Sequence, residues 1–518
     1  MEKRIDRREF LIKTGATVAG LAAADAFLLN PASAFAAGPK AGGSLNIGIG
    51  QVFEDINVLT AFGYRWGQLM AYSLYDTLVK FDSKGNAIPL LATKWETPSS
   101  KVTIVTLRQG VKFHDGTPFR VEDAVWSLNR IMSTTKPVSN NFLPLPPDIW
   151  DKAEKIDDTR LRIITKKPTQ MVGNWRFWFM MPENADERKP NLGVMPMGTG
   201  AFKFKDFVSG VRLELERFPE YWNGDRPYLD SLTYTFFADA ATQIASFLSG
   251  QVQYLHDLSV AQLPQVQGKR NSKLIPSGIF FEWWQPQMYF GPLADVNVRR
   301  ALMWAFDRKQ DNNIAWAGKA LDTWNPFIKT PYFNGENPTS ISYDPAKAQK
   351  LLKAAGQPKL DLNMLVLSEP GPWTREAQVL QQGFQNAGIN ATIQTVSSTE
   401  WFDQLYTKRT SQGIAVNAGT LPFPWALIAN YMMQATLLAP KGKPSVDPPL
   451  QAAYETAFAP ANPAQYTSAL HTIQHLMLRD ATVYHTMMAT DQNVAPQNLD
   501  GVDSTLIGDQ RFDGAYFA

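Results

Sequence analysis

The hydrophobic pattern predicts strands that alternate with amphipathic helices. Val102, Ile104 and Leu107 fall in a short run rich in β-branched residues, which is typical of a strand. The segment 114–118 follows, and its Asp, Gly and Pro residues favour a tight turn. Apolar residues then recur at helical spacing over 121–132. This stretch therefore predicts a strand, a turn and an amphipathic helix.

The same alternation returns in the second half of the chain. The pattern predicts a helix that opens at 343–346 and ends at Gly356, a strand over 361–367, a helix over 377–388, and strands over 390–396, 482–488 and 501–506. It also predicts a helix over 295–308 with Arg299, Arg300 and Arg308 on its outer side, where Arg299 and Arg300 are expected to be structural ion-pair residues. Two blocks of alternating elements favour an α/β protein with two lobes.

The composition excludes several classes of site. At 518 residues the chain is too long for one hydrophobic core, so two or three domains are expected. The formal net charge of +2 comes from acids and bases spread along the chain, which argues against nucleic acid or an anionic membrane as a partner. The absence of cysteine removes disulfides, thiol nucleophiles and thiolate metal ligands.

The first 36 residues are expected to be an export signal outside the fold. Arg7 and Arg8 open a sequence typical of a twin-arginine signal, and a modestly apolar run follows. That run is interrupted by Asp25, so it is a poor transmembrane helix. Small residues at 34 and 36 indicate cleavage between Ala36 and Ala37. We therefore expect a mature protein that reaches the periplasm by the twin-arginine export machinery.

Few residues carry the marks of catalysis or metal binding. His471 and His475 are four apart on a predicted helix and could face one metal, but no third ligand is visible, so a surface or capping role is favoured. The glycines of 198–202 are not followed by the Lys-Ser/Thr of a phosphate loop. No nucleophile motif or paired-acid motif is present. We expect a protein that is not an enzyme and needs no cofactor.

A resemblance identifies the type of protein. The sequence LRQGVKFHDGTPF at 107–119, followed by EDAVWSLNR at 122–130, resembles the signature of the family 5 extracytoplasmic solute-binding proteins, the dipeptide-, oligopeptide- and nickel-type components of ABC importers. Further blocks at 75–79, 91–96, 198–202, 217–222, 248–253 and 295–308 are similar to blocks of this family, with changes at several positions. In this chain the block at 198–202 has Ala and Phe where the family has Pro and Tyr.

The resemblance implies a two-lobed periplasmic-binding-protein clamp of type II, cluster C, with an extra subdomain in the first lobe. We expect the first lobe at 37–280, with an inserted subdomain at about 60–195 and completion by 490–518, and the second lobe at 281–489. The implied function is capture of a small solute by lobe closure and its delivery to an ABC permease and ATPase by a monomer. A periplasmic sensor that feeds a chemoreceptor, or an enzyme or chaperone on the same fold, remains an alternative.

The ligand contacts are expected near the lobe crossing and in the loop over 411–431. The aromatic residues predicted as contacts are Trp283, Trp284, Trp401, Phe423 and Trp425. Dipeptide- and oligopeptide-binding relatives usually carry an Asp in that loop for the ligand's α-ammonium, and 418–425 has no carboxylate. Because a buried ammonium needs an opposite charge, a neutral or aromatic solute, an acylated peptide or an oligosaccharide fits better. Glu282 or Asp403 could still supply the charge, and a nickel chelate remains open.

Overall fold

The structure is a computed structural model. It describes residues 39–60, 65–82, 86–135, 149–169, 171–191, 193–327, 332–338, 340–368, 372–397, 400–401, 403–419, 448–458, 463–505 and 509–518. The predicted signal and its cleavage site at Ala36 and Ala37 lie outside the described residues.

Strands of the described residues form one large sheet and several small ones. Their bounds are β1 Ser44–Ile49, β2 Val79–Phe81, β3 Ala87–Pro89, β4 Ala92–Ser99, β5 Val102–Leu107, β6 Trp150–Lys155, β7 Arg160–Thr165, β8 Phe202–Val208, β9 Arg212–Arg217, β10 Ser231–Phe236, β11 Tyr254–Leu258, β12 Ser272–Pro286, β13 Leu321–Asp322, β14 Leu360–Leu367, β15 Ile389–Val396, β16 Gly413–Gly419, β17 Tyr484–Pro496, β18 Leu499–Asp500, β19 Asp503–Ser504, β20 Gln510–Arg511 and β21 Tyr516–Phe517.

Helices cover the faces of these sheets. Their bounds are α1 Arg65–Leu74, α2 Val121–Ile131, α3 Ala240–Ser249, α4 Gly291–Ala294, α5 Val296–Trp304, α6 Arg308–Ala315, α7 Pro345–Ala354, α8 Trp373–Asn386, α9 Pro448–Phe458 and α10 Pro463–Asp480. None of the helices in the described residues has the length and apolar character needed to cross a bilayer.

The large sheet runs through both halves of the molecule in the order β15-β14-β16-β12-β17-β11-β1-β10-β9-β8, with β13 paired to β17. We call the half built on β8, β9, β10, β1 and β11 the first lobe, and the half built on β14, β15 and β16 the second lobe. The strands β12 and β17 cross between them, antiparallel to each other from the pair Ser272–Pro496 to the pair Trp284–Tyr484. These two long strands join the lobes.

A separate layer lies between β1 and β8 in the sequence. Four antiparallel strands in the order β4-β5-β7-β6 form a small sheet, and α2 packs against β6. Buried Val121, Ala124 and Leu128 give α2 its apolar side, and Asp123 accepts a hydrogen bond from the N–H of Arg120 at 2.7 Å at its start. The strand and helix predicted over 102–132 are confirmed.

His114 joins the turn after β5 to the glycine block at 198–202. Its Nε2 lies 3.1 Å from the carbonyl oxygen of Gly200, and the N–H of Gly198 points to its Nδ1 at 3.4 Å. Burial lowers the pKa of this imidazole to about 4, so it is neutral, with the proton on Nε2. The ring also contacts Phe218 edge-on, with centroids 5.2 Å apart. The two resembling blocks therefore form one structural contact.

The C-terminal segment contacts a buried carboxylate of the first lobe. Asp76 accepts hydrogen bonds from the indole N–H of Trp222 at 2.8 Å and the hydroxyl of Thr199 at 3.1 Å, and Arg511 lies 3.6 Å away. Burial raises the pKa of Asp76 to about 6, although Arg511 opposes the shift. The last strands are thus fixed to the first lobe by polar contacts inside the core.

Two sequence expectations need correction. The helix predicted over 295–308 is two helices, because α5 ends at Trp304 and α6 begins at Arg308. Two of its arginines are buried rather than outside, Arg299 at 6% exposed and Arg308 at 5%. Arg299 donates to the carbonyl oxygen of Asp480 at 2.7 Å, so this contact involves the main chain rather than a carboxylate.

The second correction concerns the strands near the C-terminus. The strand predicted over 482–488 is β17, which continues to Pro496. Of the strand predicted over 501–506, the described residues show only the short β19 at 503–504, which pairs with β20.

Candidate solute-binding cleft

The strand directions make the carboxyl ends of strands from both lobes point toward each other. In the first lobe β1 is parallel to β10 and β11, and β11 is antiparallel to β17. Because β12 is also antiparallel to β17, the carboxyl ends of β1, β10 and β11 point along β12 toward the second lobe. In the second lobe β16 is antiparallel to β12 and parallel to β14, and β14 is parallel to β15. The carboxyl ends of β14, β15 and β16 therefore point toward the first lobe. Ligands of open α/β sheets bind outside the carboxyl ends of the strands.

The distance between the two sets of strand ends can be counted along β12. The last residue of β11, Leu258, lies opposite Gln492, which pairs with Pro276 of β12. The last residue of β16, Gly419, pairs with Phe281 of β12. Five residues of strand separate Pro276 from Phe281, which is roughly 16 Å. This length is the spacing, along β12, between the strand ends of the two lobes.

The first-lobe edge is closely packed behind the carboxyl end of β1. Gln243 of α3 is 2% exposed, and its Nε2 donates to the carbonyl oxygens of Gly48 at 3.0 Å and His256 at 3.2 Å. A Cβ atom on Gly50 would lie 3.1 Å from the Gln243 Oε1 atom. The side-chain amide of Gln243 therefore ties β1 to β11 where both strands approach the cleft.

A polar group stands at the carboxyl end of β11. Asp257 has a φ of +63°, a left-handed conformation that is rare outside glycine, and it lies at an irregularity in the β11–β17 pairing. Its N–H donates to Oδ1 of Asn493 at 2.9 Å, and the hydroxyl of Ser277 on β12 donates to its Oδ1 at 3.0 Å. The half-buried carboxylate is thus held against both crossing strands.

His256 takes part in the same group. Its Nδ1 lies 2.9 Å from Oδ1 of Asn493, which already accepts the backbone N–H of Asp257. Since that oxygen can only accept, Nδ1 of His256 carries a proton and donates. The sequence analysis missed this group, because neither hydrophobic periodicity nor a motif marks a strand end with an irregular pairing.

The structure buries the predicted tryptophans in the core. Trp283 is 1% exposed and packs with α9 and α10, whereas Trp284 is 0% exposed and faces the other side of the sheet. Trp401 follows β15 at the second-lobe edge and is 5% exposed. In this conformation none of the three rings presents a face to solvent, so their role as ligand contacts stays a prediction. Phe423 and Trp425 lie outside the described residues.

The alternative charged groups are also located. Glu282 is fully buried on β12, and Asp403 forms an ion pair with Lys408. His475 lies 3.1 Å from the carboxylate of Glu336 on the surface. Within the described part of the chain no group of His, Cys, Asp or Glu has the arrangement of a metal site. Asp257, by contrast, has a half-buried carboxylate that contacts both crossing strands at the carboxyl end of β11.

A protein-family comparison decides what kind of protein this is. The model of the bacterial extracellular solute-binding proteins, family 5, matches residues 86–432. The chain belongs to this family. The family 5 protein is therefore a binding protein that acts outside the cytoplasm, and the expectation that it is not an enzyme is confirmed.

Relatives of this family 5 protein are similar over part of their length. It is 26% identical over 371 residues to the dipeptide-binding protein of Escherichia coli, a match that covers 66% of this chain and 68% of that protein. It is 28% identical over 319 residues to the glutathione-binding protein of Pectobacterium atrosepticum, covering 60% of this chain and 61% of that protein.

A solved structure extends the likeness to almost the whole fold. The oligopeptide-binding protein AppA of Bacillus subtilis, solved in complex with a nonapeptide, superposes with a TM-score of 0.81 at 20% identity, covering 93% of this chain and 100% of that one. The predicted α/β fold of the cluster C binding proteins is confirmed by this agreement.

Proposed function

We propose that this family 5 protein captures a peptide-like or other small organic solute between its lobes and delivers it to an ABC permease and ATPase. The observation that carries the proposal is the convergence of strand carboxyl ends from both lobes on the crossing strands β12 and β17. The names of its relatives, a dipeptide-binding and a glutathione-binding protein, support a ligand of peptide-like chemistry.

The ligand is not a simple dipeptide with a free amino terminus. The support is the absence of a carboxylate in the sequence 418–425, which covers the end of β16 and the residues that follow it in the chain. A neutral, aromatic or acylated solute needs no buried counter-charge and binds through stacking and neutral amides. Asp257 is the alternative partner for an ammonium, since it lies at the opposite edge of the cleft.

Titration calorimetry separates these ligand classes. The panel contains an unblocked dipeptide, the same dipeptide with an acetylated amino terminus, an oligosaccharide and an aromatic amide. We expect the acetylated peptide, or one of the other neutral ligands, to bind more tightly than the unblocked dipeptide. Tighter binding of the unblocked dipeptide would refute the ligand class, and its loss in Asp257→Asn would identify Asp257 as the ammonium partner. Asp225→Asn, an exposed acid of the first lobe before β10, is the matched control.

Delivery to an importer is tested in cells. Deletion of the gene should abolish uptake of the radiolabelled ligand that calorimetry identifies, and the wild-type gene should restore it. If uptake is unchanged while the purified protein binds the ligand, the protein binds but does not feed an importer.

Export by the twin-arginine route is part of the proposal. Arg7 and Arg8 support it, together with the small residues before the expected cleavage between Ala36 and Ala37. Replacing both arginines by lysine should retain the precursor in the cytoplasm, and mass spectrometry of the periplasmic protein should give Ala37 as the first residue. Export of the double-lysine variant at the normal level would contradict the twin-arginine route.

A further inference from the structure

A group of three buried carboxylates lies in the core of the second lobe. Asp311 of α6, Glu376 of α8 and Glu282 of β12 are all 0% exposed. Both carboxylate oxygens of Asp311 and of Glu376 are fully buried without a well-formed hydrogen bond. Glu376 lies beside Glu282, the hydroxyl of Thr486 and the indole of Trp284, near enough for them to lower its pKa.

One cation lies beside these acids, and other groups already engage it. The guanidinium of Arg308 is paired with Asp322 of β13 and donates to the carbonyl oxygens of His485 at 2.8 Å and Thr486 at 2.7 Å. It also lies over the ring of Trp324, 4.0 Å from the centroid. Arg308 therefore cannot balance three further carboxylates at close range.

Among the described residues, Arg308 is the cation that acts on Asp311 and Glu376. The charged groups that act on Asp311 from α6 and β13 are Arg308, Asp322 and Asp307. His485 of β17 lies beside Arg308, and Arg375 precedes Glu376 on α8. Burial lowers the pKa of His485 to about 3, so this imidazole is neutral. Arg375 reaches the carbonyl oxygen of Ala315 at 3.4 Å and its side chain is exposed. None of the acids belongs to a metal-binding group among the described residues.

Electrostatics then require protons in this core. Two or more uncompensated carboxylates out of contact with water are strongly unfavourable, and such groups bind protons instead. A protonated acid also becomes a hydrogen-bond donor, and an oxygen of a neighbouring carboxylate can accept that bond.

We propose that the second lobe folds around protons taken from solvent and held among Asp311, Glu376 and Glu282, and that these protons join α6 and α8 to the crossing strand β12. Loss of a proton at high pH leaves like charges facing each other between the helices and the sheet. Because β12 continues into the first lobe, the pH dependence acts on the strand that links the lobes.

The direction of the pH effect follows from linkage. Burial, together with the charge of Glu376, raises the pKa of Asp311 well above its usual range, and burial raises that of Glu376. In the unfolded chain both groups lose their protons near pH 4. Above that pH the folded state binds more protons than the unfolded state, so stability falls as pH rises, by about tenfold in the unfolding equilibrium constant per pH unit for each proton.

Thermal unfolding of the full chain across pH 5 to 9 tests the proposal. We expect the wild-type melting temperature to fall toward pH 9. The dependence of stability on pH gives the number of protons released on unfolding. In Asp311→Asn and in Glu376→Gln this number should be smaller by about one, and each variant should be more stable than the wild type at pH 9. Glu455→Gln, an exposed acid on α9, is the matched control and should keep the wild-type slope.

A second measurement does not depend on how well the variants fold. Infrared difference spectroscopy of the wild-type protein at neutral pH should show the carbonyl stretch of a buried, protonated carboxylic acid, resistant to brief exchange. Absence of that band from the folded wild-type protein would overturn the proposal. A wild-type pH slope that both variants reproduce would overturn it as well.

Discussion

Replacing Gly198 by alanine should destabilise the first lobe. A Cβ atom at this position would lie 2.1 Å from the carbonyl oxygen of Leu74, at the last residue of α1, and 2.6 Å from the ring of Tyr75. Ordinary contact begins near 3.4 Å, so the two backbone segments would have to move apart by roughly 1.3 Å. The contact atom belongs to the main chain of a helix end and cannot rotate away.

The cost can be estimated from the contacts that such a shift breaks. Forcing extra atoms into a packed region costs about 1–3 kcal/mol. The N–H of Gly200 donates to the same carbonyl of Leu74 at 3.0 Å, and loss of that hydrogen bond adds about 1 kcal/mol. Together these give about 2–4 kcal/mol of unfolding free energy. For a chain of 518 residues that unfolds as one unit, this corresponds to a melting temperature lower by about 2–4 °C.

Differential scanning fluorimetry measures this shift directly. Gly291→Ala is the control, because the same methyl group placed there meets nothing within 4 Å. Its melting temperature should stay close to that of the wild type. If Gly198→Ala has the same melting temperature as Gly291→Ala and the wild type, the close approach of the glycine block to α1 does not limit the size of residue 198. That result would refute the reasoning.

Three further substitutions probe other parts of the fold. Trp283→Ala removes a buried ring from between β12 and the pair α9 and α10, and urea denaturation should show a loss of about 3–5 kcal/mol. Asp76→Asn removes a carboxyl group whose pKa in the folded state is raised to about 6. Because this group makes the wild type lose stability as pH rises from about 4 to 6, denaturation curves should show the variant losing about 3 kcal/mol less over that interval. Arg299→Met leaves the carbonyl oxygen of Asp480 without its donor and should cost about 1–3 kcal/mol by urea denaturation, against no measurable change for Lys350→Met on the exposed side of α7.

Local patterns predicted local elements well. The strand at 102–107 and the helix that begins at Val121 are specified by residues close together in sequence, and the structure has both within one residue of their predicted ends. Gly356 and Gly388 have positive φ values of 72° and 78° just beyond their helices, as the sequence indicated. In these segments the backbone preference and the burial pattern agree.

Long-range partners explain what sequence reasoning missed. An amphipathic pattern assigns arginine to the outside, but the partners of Arg299 and Arg308 lie about 180 residues later in the chain and satisfy both guanidinium groups inside the protein. The segment around Trp283 and Trp284, with Glu282 as its one charged residue, is mostly apolar because helices cover both faces of its strand. Sequence alone cannot distinguish such a strand from the wall of a binding site. The position of the Asp257 side chain depends on a local irregularity in the pairing of β11 with β17, which the hydrophobic periodicity of the sequence does not indicate.

The position of β17 in the sheet has a consequence for biosynthesis. This strand is synthesised after β1 to β16, yet it lies between β11 and β12 and pairs with both. In a nascent chain that still lacks residues 484–496, β11 and β12 have no strand between them to pair with. The main sheet that joins the two lobes therefore cannot be completed until residues 484–496 have been synthesised.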